Sequence, residues 1–312
     1  MRGVGVIEFG GPDTLTVVNL PEVHAGPGEV RIRVHAATVN PTDTGLRSGA
    51  RAATMGSIPP PYIPGMDAAG VVDEIGSDTE TDLAIGDAAM AMVIPHGTHG
   101  GYSESIVLTA DSVVLAPANA SHVEAATLPM NGLTARQSLD QLALKPGELL
   151  AVTGAAGCYG GYVVQQAKAD GLRVVADASD ADAQLVADLG ADIVVRRGDD
   201  IASSIRDVFP DGVDGLADGA VQNELAVGAV RDGGAFVSVR GWGGTAERGI
   251  DFHQTMVRTY DHRPDLLNRL RQQAEEGVIT LRVAAKYAPE DASQAHRRLE
   301  AGGTRGRCVI EF

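Results

Sequence analysis

Apolar positions in the first third of the chain fall in short runs broken by Gly and Pro, at residues 15–18, 29–36, 70–75, 88–94 and 102–108. Runs of this length between turn residues predict strands, so residues 1–118 read as a β-rich, partly closed barrel. From about Ala120 the pattern changes to buried-type apolar runs alternating with helical stretches, the mark of strand–helix–strand units on a parallel sheet. Residues 149–153, 172–176 and 192–195 form its first three strands, and 213–217 and 235–239 the next two. A helix over 221–231 separates the last pair and stops at Gly233-Gly234. That succession is the order of a Rossmann, doubly wound domain. Beyond Arg263, a helix over 264–276 opens on Pro264 and ends at Gly277. A strand at 282–285, a helix over 291–300 and a strand at 308–312 follow and are expected to rejoin the first domain. The expected division is therefore 1–118 with 263–312, and 119–262.

Composition narrows the compartment and the partners. The chain has 312 residues, more than one typical domain, with 44% hydrophobic and 21% charged residues, an ordinary globular balance. No run of about 18 apolar residues is present, and Met1-Arg2-Gly3-Val4 leads straight into strand-like sequence, so a soluble, cytoplasmic protein is expected. The two cysteines, Cys158 and Cys308, cannot build a disulfide framework or a four-cysteine zinc site. A formal net charge of −16 repels phosphate backbones and anionic lipid, which excludes nucleic acid and membrane as expected partners and otherwise serves solubility.

The chemistry concentrates in Thr153-Gly154-Ala155-Ala156-Gly157-Cys158-Tyr159-Gly160-Gly161, which follows a buried strand and opens a helix over 162–169. In a dinucleotide fold the residue after the strand makes a tight turn. A Gly two positions on lets the backbone approach the pyrophosphate, and another three further on lets helix and strand pack closely. Ala155, Gly157 and Gly160 hold those places. The helix N-terminus offers unpaired N–H groups to the diphosphate, so no Lys is needed. Cys158 reads as a small residue fitting the loop rather than as a reactive thiol.

Together with that turn, several further motifs resemble the quinone oxidoreductase (zeta-crystallin-like) branch of the zinc-free medium-chain dehydrogenase/reductase superfamily, almost end to end. They are Val39-Asn40-Pro41-Thr42-Asp43, Ile63-Pro64-Gly65-Met66-Asp67-Ala68-Ala69-Gly70-Val71-Val72, Gly86-Asp87, Leu128-Pro129-Met130-Asn131-Gly132-Leu133-Thr134-Ala135 and Ala295-His296-Arg297-Arg298-Leu299. The resemblance implies a GroES-like barrel beside the Rossmann domain. It also implies hydride transfer from a reduced nicotinamide to a quinone or an activated carbon–carbon double bond in an interdomain cleft. Zinc alcohol dehydrogenases of the superfamily carry a Cys near Asn40 and a His at Met66; neither is present here. His96 and His99 have no thiol or carboxylate partners at ligand spacing, so no metal site is expected. By motif position Asn40, Asn131 and Thr134 border the nicotinamide, and Val239-Arg240-Gly241-Trp242 lines the cofactor groove. Several relatives place a Tyr near Gly45; Tyr62 is the candidate to assist proton delivery instead, with packing as its plainer role.

Cofactor choice rests on the end of the second strand. An acid there binds the ribose 2′-OH and repels a 2′-phosphate. Matching helix length to the family puts Ser179 at the discriminating position, with Arg196 or Arg197 pairing with the phosphate of NADPH. Asp177 in that position would favour NADH, and the expectation here is NADPH. The acceptor is expected to be a small apolar molecule. Two alternatives stand beside this: an enoyl reductase acting on an acyl thioester, and a weakly catalytic cofactor-binding protein. By resemblance a homodimer is expected, pairing through an edge strand around residues 255–260. The loop over 45–61 and the surroundings of Trp242 do not resolve into a substrate pocket.

Overall fold

The computed structural model describes residues 1–50, 52 and 58–312; part of the 45–61 loop therefore lies outside the described residues. The chain divides into two compact units, Met1–Met130 with Arg258–Glu275 and Leu281–Phe312, and Asn131–Val257 with Glu276–Thr280.

The first unit is β-rich. Strands β1 (Arg2–Gly5) and β2 (Thr16–Asn19) form an antiparallel pair. A mixed sheet runs β14 (Val283–Tyr287), β15 (Arg307–Glu311), β3 (Glu29–Thr38), β4 (Asp67–Ile75), β5 (Ala88–Met92) and β7 (Val113–Leu115), with β6 (Ser105–Thr109) paired to β3. All its pairs are antiparallel except β14 with β15. The ten-residue β3 organises the sheet: its N-terminal half pairs with β6, while its C-terminal end takes β15, with Val309 opposite Thr38. Thus the last strand of the chain returns to this unit. Alternating buried positions Val30, Ile32 and Val34 meet Ala68, Val72, Ala89 and Ala91 in one apolar cluster, the one-sided pattern of a half-buried sheet. Helix α1 (Pro41–Arg47), helix α2 (His122–Ala125) and two later helices complete the unit.

The second unit is a six-stranded sheet with every pair parallel, in the order β10 (Ile193–Arg196), β9 (Arg173–Ala178), β8 (Leu149–Thr153), β11 (Val213–Asp218), β12 (Val230–Ser238) and β13 (Asp251–Gln254). The central β8 is buried at every residue, which its covering by helices on both faces requires. Helix α3 (Pro129–Leu142) leads into the unit and α4 (Cys158–Ala169) follows β8. Strand order reverses between β9 and β11 on either side of β8, and the crevice at the carboxyl ends of such strands is where doubly wound sheets take ligands.

Two pattern-based expectations are corrected. The helix over 221–231 shrinks to one turn, α7 (Glu224–Val227), after the short helices α5 (Ala183–Asp188) and α6 (Ile201–Val208). The buried Asp218 carboxylate accepts from the amides of Gln222 and Asn223 at 3.0 and 2.7 Å, and Val221 and Asn223 take φ of 58° and 51°, a left-handed turn that no helix can run through. The apolar residues from Val230 onward then join β12, with Gly233 and Gly234 inside the strand. The edge strand, expected around 255–260, is Asp251–Gln254, and Val257–Tyr260 is a 3₁₀ turn. The remaining helices, α8 (Pro264–Glu275) and α9 (Ala292–Glu300), match the expected spans within a residue.

Candidate functional site

Gly154 leaves β8 with φ of 67°, a conformation open to glycine at little cost. A Cβ at Gly160 would lie 2.4 Å from the carbonyl oxygen of Gly154 and 2.8 Å from Cα of Ala155. Helix α4 and the turn therefore touch backbone to backbone. Gly157 caps the helix without a side-chain acceptor, and the first-turn amides of a helix have no intrahelical partner, which suits them to an anion. This cradle fits a dinucleotide pyrophosphate.

The turn is also held from beneath. Asp177, near the end of β9, is 2% exposed, and its Oδ1 accepts from the Ala155 amide at 3.2 Å. Burial pushes its carboxyl up, against the pull of that amide and of Arg197. Its Oδ2 makes no hydrogen bond and lies 4.0 Å from Nε of Arg197, whose side chain is half exposed. Ser179 donates to Asp182, and Arg196 ends β10 on the surface. Across the crevice Thr153 donates to Asp218 and receives the Ala220 amide at 3.1 Å, joining the ends of β8 and β11.

Asn131, Thr134 and Ser138 are buried and, at spacings of three and four, share one face of α3. Cys158 and Cys308 are both buried free cysteines. After β12, Trp242 packs edge-on against Phe236 and Phe252 and donates its indole N–H to Glu224 at 2.7 Å. Its ring therefore closes the apolar core. Arg240 and Gly241 are exposed beside it, and Val239 is partly buried.

Asn40 and Tyr62 belong to the first unit. Asn40 precedes α1 and is fully buried; its Nδ2 donates to Asp67 at 2.7 Å and to Thr38 at 3.2 Å, and its amide donates to Asp43. Thr38 donates to the same Asp67 oxygen, while Asp67 Oδ1 takes the Met130 amide at 2.7 Å. Burial raises both acids, Asp43 to about 7. Tyr102, His296 and Arg47 continue the network from Asp43. Tyr62 stacks on Phe9 with centroids 5.0 Å apart and donates its hydroxyl to the Ile58 carbonyl, so that proton is committed locally. His96 and His99 pair through reciprocal backbone bonds, with burial lowering His99 to about 4. No group of three or more metal-ligating side chains occurs among the described residues.

Asp67 and Ser138 escaped the sequence reading. The signal for Asp67 was an acid inside the apolar run 66–72; Ser138 was marked only by its helical spacing from Thr134.

Residues 26–118 match the alcohol dehydrogenase GroES-like domain and residues 189–310 the zinc-binding dehydrogenase family. The mouse quinone oxidoreductase is 30% identical over 99% of this chain and 97% of its own length. The chain belongs to the quinone oxidoreductase branch of the medium-chain dehydrogenase/reductase superfamily. The chloroplastic NADPH-dependent alkenal/one oxidoreductase of Arabidopsis thaliana is also 30% identical, over 97% of this chain and 77% of its own. A solved NAD-dependent alcohol dehydrogenase superposes with a TM-score of 0.89 at 28% identity, covering 100% of both chains. This member is a nicotinamide-dependent oxidoreductase. None of the described helices is long and apolar enough to cross a membrane.

Proposed function

We propose that the protein transfers hydride from NADPH to a quinone or an enone, a small apolar acceptor. The observation that carries this reading is the glycine turn at the reversal point of the parallel sheet, where the Gly154–Gly160 contact leaves room for backbone alone. The bound nicotinamide supplies the hydride chemistry; the chain has to bind, orient and exclude water. Gly154, Ala155, Ala156, Gly157, Cys158, Tyr159 and Gly160 hold the diphosphate. Asn131 and Thr134 orient the nicotinamide from α3; Asn40, buried on the first unit, is a separate candidate for the same role. Val239, Arg240 and Gly241 border the groove, and Trp242 supports them from the core.

The choice of NADPH draws on Arg197. Asp177, the acid that would repel a 2′-phosphate, is withdrawn beneath the turn, and the guanidinium that covers it is half exposed. Arg197 thus serves the 2′-phosphate better than Arg196, with Ser179 beside it. The name of the Arabidopsis relative agrees. Assay of both reduced cofactors with a quinone and an enone tests this. Higher kcat/KM with NADPH, lost in Arg197→Ser with the NADH value unchanged, is expected; a preference for NADH in the wild type overturns the cofactor assignment.

A further inference from the structure

Tyr159 is the second residue of α4, directly after the glycine turn, yet it is neither small nor apolar. Its hydroxyl lies 2.7 Å from Oγ of the fully buried Ser138. Because Ser138 spends its proton on the Thr134 carbonyl at 2.9 Å, the phenol is the donor. Burial holds that phenol far above its ordinary range, so it remains protonated. The ring crosses to the end of β11: a Cβ on Gly219 would fall 2.8 Å from Cδ1 and 3.0 Å from Cε1 of Tyr159. Glycine is thus what allows the ring to lie flat over this position. One side chain therefore connects three parts of the crevice: the start of α4, the loop after β11, and the α3 face that carries Asn131 and Thr134.

The side of the crevice matters. In a doubly wound sheet the adenosine ribose is read at the end of the second strand, here β9, and the other nucleotide half lies beyond the first strand on the opposite side. Tyr159 leans away from β9, toward β11. We propose that Tyr159, fastened to Ser138, is a cofactor-positioning residue that sets where the nicotinamide half rests relative to Thr134. The ring is a rigid wall with two rotatable bonds, and its hydrogen bond to α3 removes the remaining freedom. This inference rests on the nicotinamide-dependent reading above.

The test compares two ligands on the intact protein by titration calorimetry: NADPH, and adenosine 2′,5′-bisphosphate, which lacks the nicotinamide half. Tyr159→Val is expected to weaken NADPH about tenfold and to leave the bisphosphate within about twofold. Tyr159→Phe and Ser138→Ala, which remove only the hydrogen bond, are expected to give equal smaller losses for NADPH that do not add in the double variant. Equal weakening of both ligands by Tyr159→Val, no weakening of NADPH, or additive losses in the double variant would overturn the inference. Failure of the wild type to bind NADPH at all, while the bisphosphate binds, would instead overturn the proposed function.

Discussion

Replacing Gly160 by alanine places a methyl group 2.4 Å from a backbone oxygen and 2.7 Å from a backbone carbon of Gly154. Neither atom belongs to a flexible side chain, so the strain cannot be relieved by a rotamer. Ordinary contact begins at 3.4 Å, and the helix must therefore withdraw from the turn by about 1 Å. Overpacking of this kind costs about 1–3 kcal/mol, which a domain stable by about 5–15 kcal/mol survives. The first-turn amides of α4 move with the helix. Losing one hydrogen bond to a charged phosphate costs about 1.5–3 kcal/mol, or roughly 10- to 100-fold in affinity. Quenching of the sole tryptophan, Trp242, by added NADPH supplies the assay, with a thermal melt as the check on folding. Gly11→Ala is the control, since nothing lies within 4 Å of its Cβ. A Gly160→Ala protein that binds NADPH as tightly as the wild type would refute the close-packed turn as the basis of binding.

Further outcomes follow from the buried polar groups. Asp218→Ala strips partners from Thr153 and from the amides of Gln222 and Asn223; a stability loss on the order of 3 kcal/mol is expected by denaturant titration, and a loss below about 0.5 kcal/mol would exclude a structural role for this carboxylate. His296 is lowered from 6.5 to about 3 by burial, with the Arg47 charge assisting. The unfolded chain therefore binds the extra proton between those values, and stability falls as pH drops from about 6.5 toward 3. Asp43, raised from 3.8 to about 7 by burial, has the opposite sign: the fold keeps the proton, and stability falls as pH rises through that window. Melting curves of wild type and His296→Gln across pH 4–8 separate the two. The wild type's stability relative to the variant should rise with pH up to about 6.5 and then level, and a pH-independent difference would contradict the assignment.

The parts of this fold that were legible from sequence are those where one local pattern decides the outcome. The buried run 149–153 followed by Gly154 and Gly160 can form little except a strand, a tight turn and a helix, and the structure has all three, although the helix expected from 162 already begins at Cys158 and takes in Gly160. The helix expected over 221–231 failed because its apolar spacing suits either state. The decision lay with the Asp218 carboxylate, which captures two amides just after β11. Trp242 was expected beside the groove; that it also packs on Phe236 and Phe252 depends on the pairing of β12 with β13, which no local pattern encodes. Asn40 was placed by its motif, but its bonds to Thr38 and Asp67 depend on the pairing of β3 with β4. The Tyr159–Ser138 bond likewise joins two helices across the intervening strand β8, a contact set by their packing and not by local spacing.

The central claim is hydride transfer, and the most direct measurement follows the hydride itself. The protein is mixed with NADPH deuterated at the transferring carbon and, in turn, with a quinone, an enone and an enoyl thioester. The account predicts oxidation of NADPH with the quinone or the enone, and recovery of deuterium on the β-carbon of the reduced enone. Tight NADPH binding with no oxidation by any of the three acceptors would contradict it.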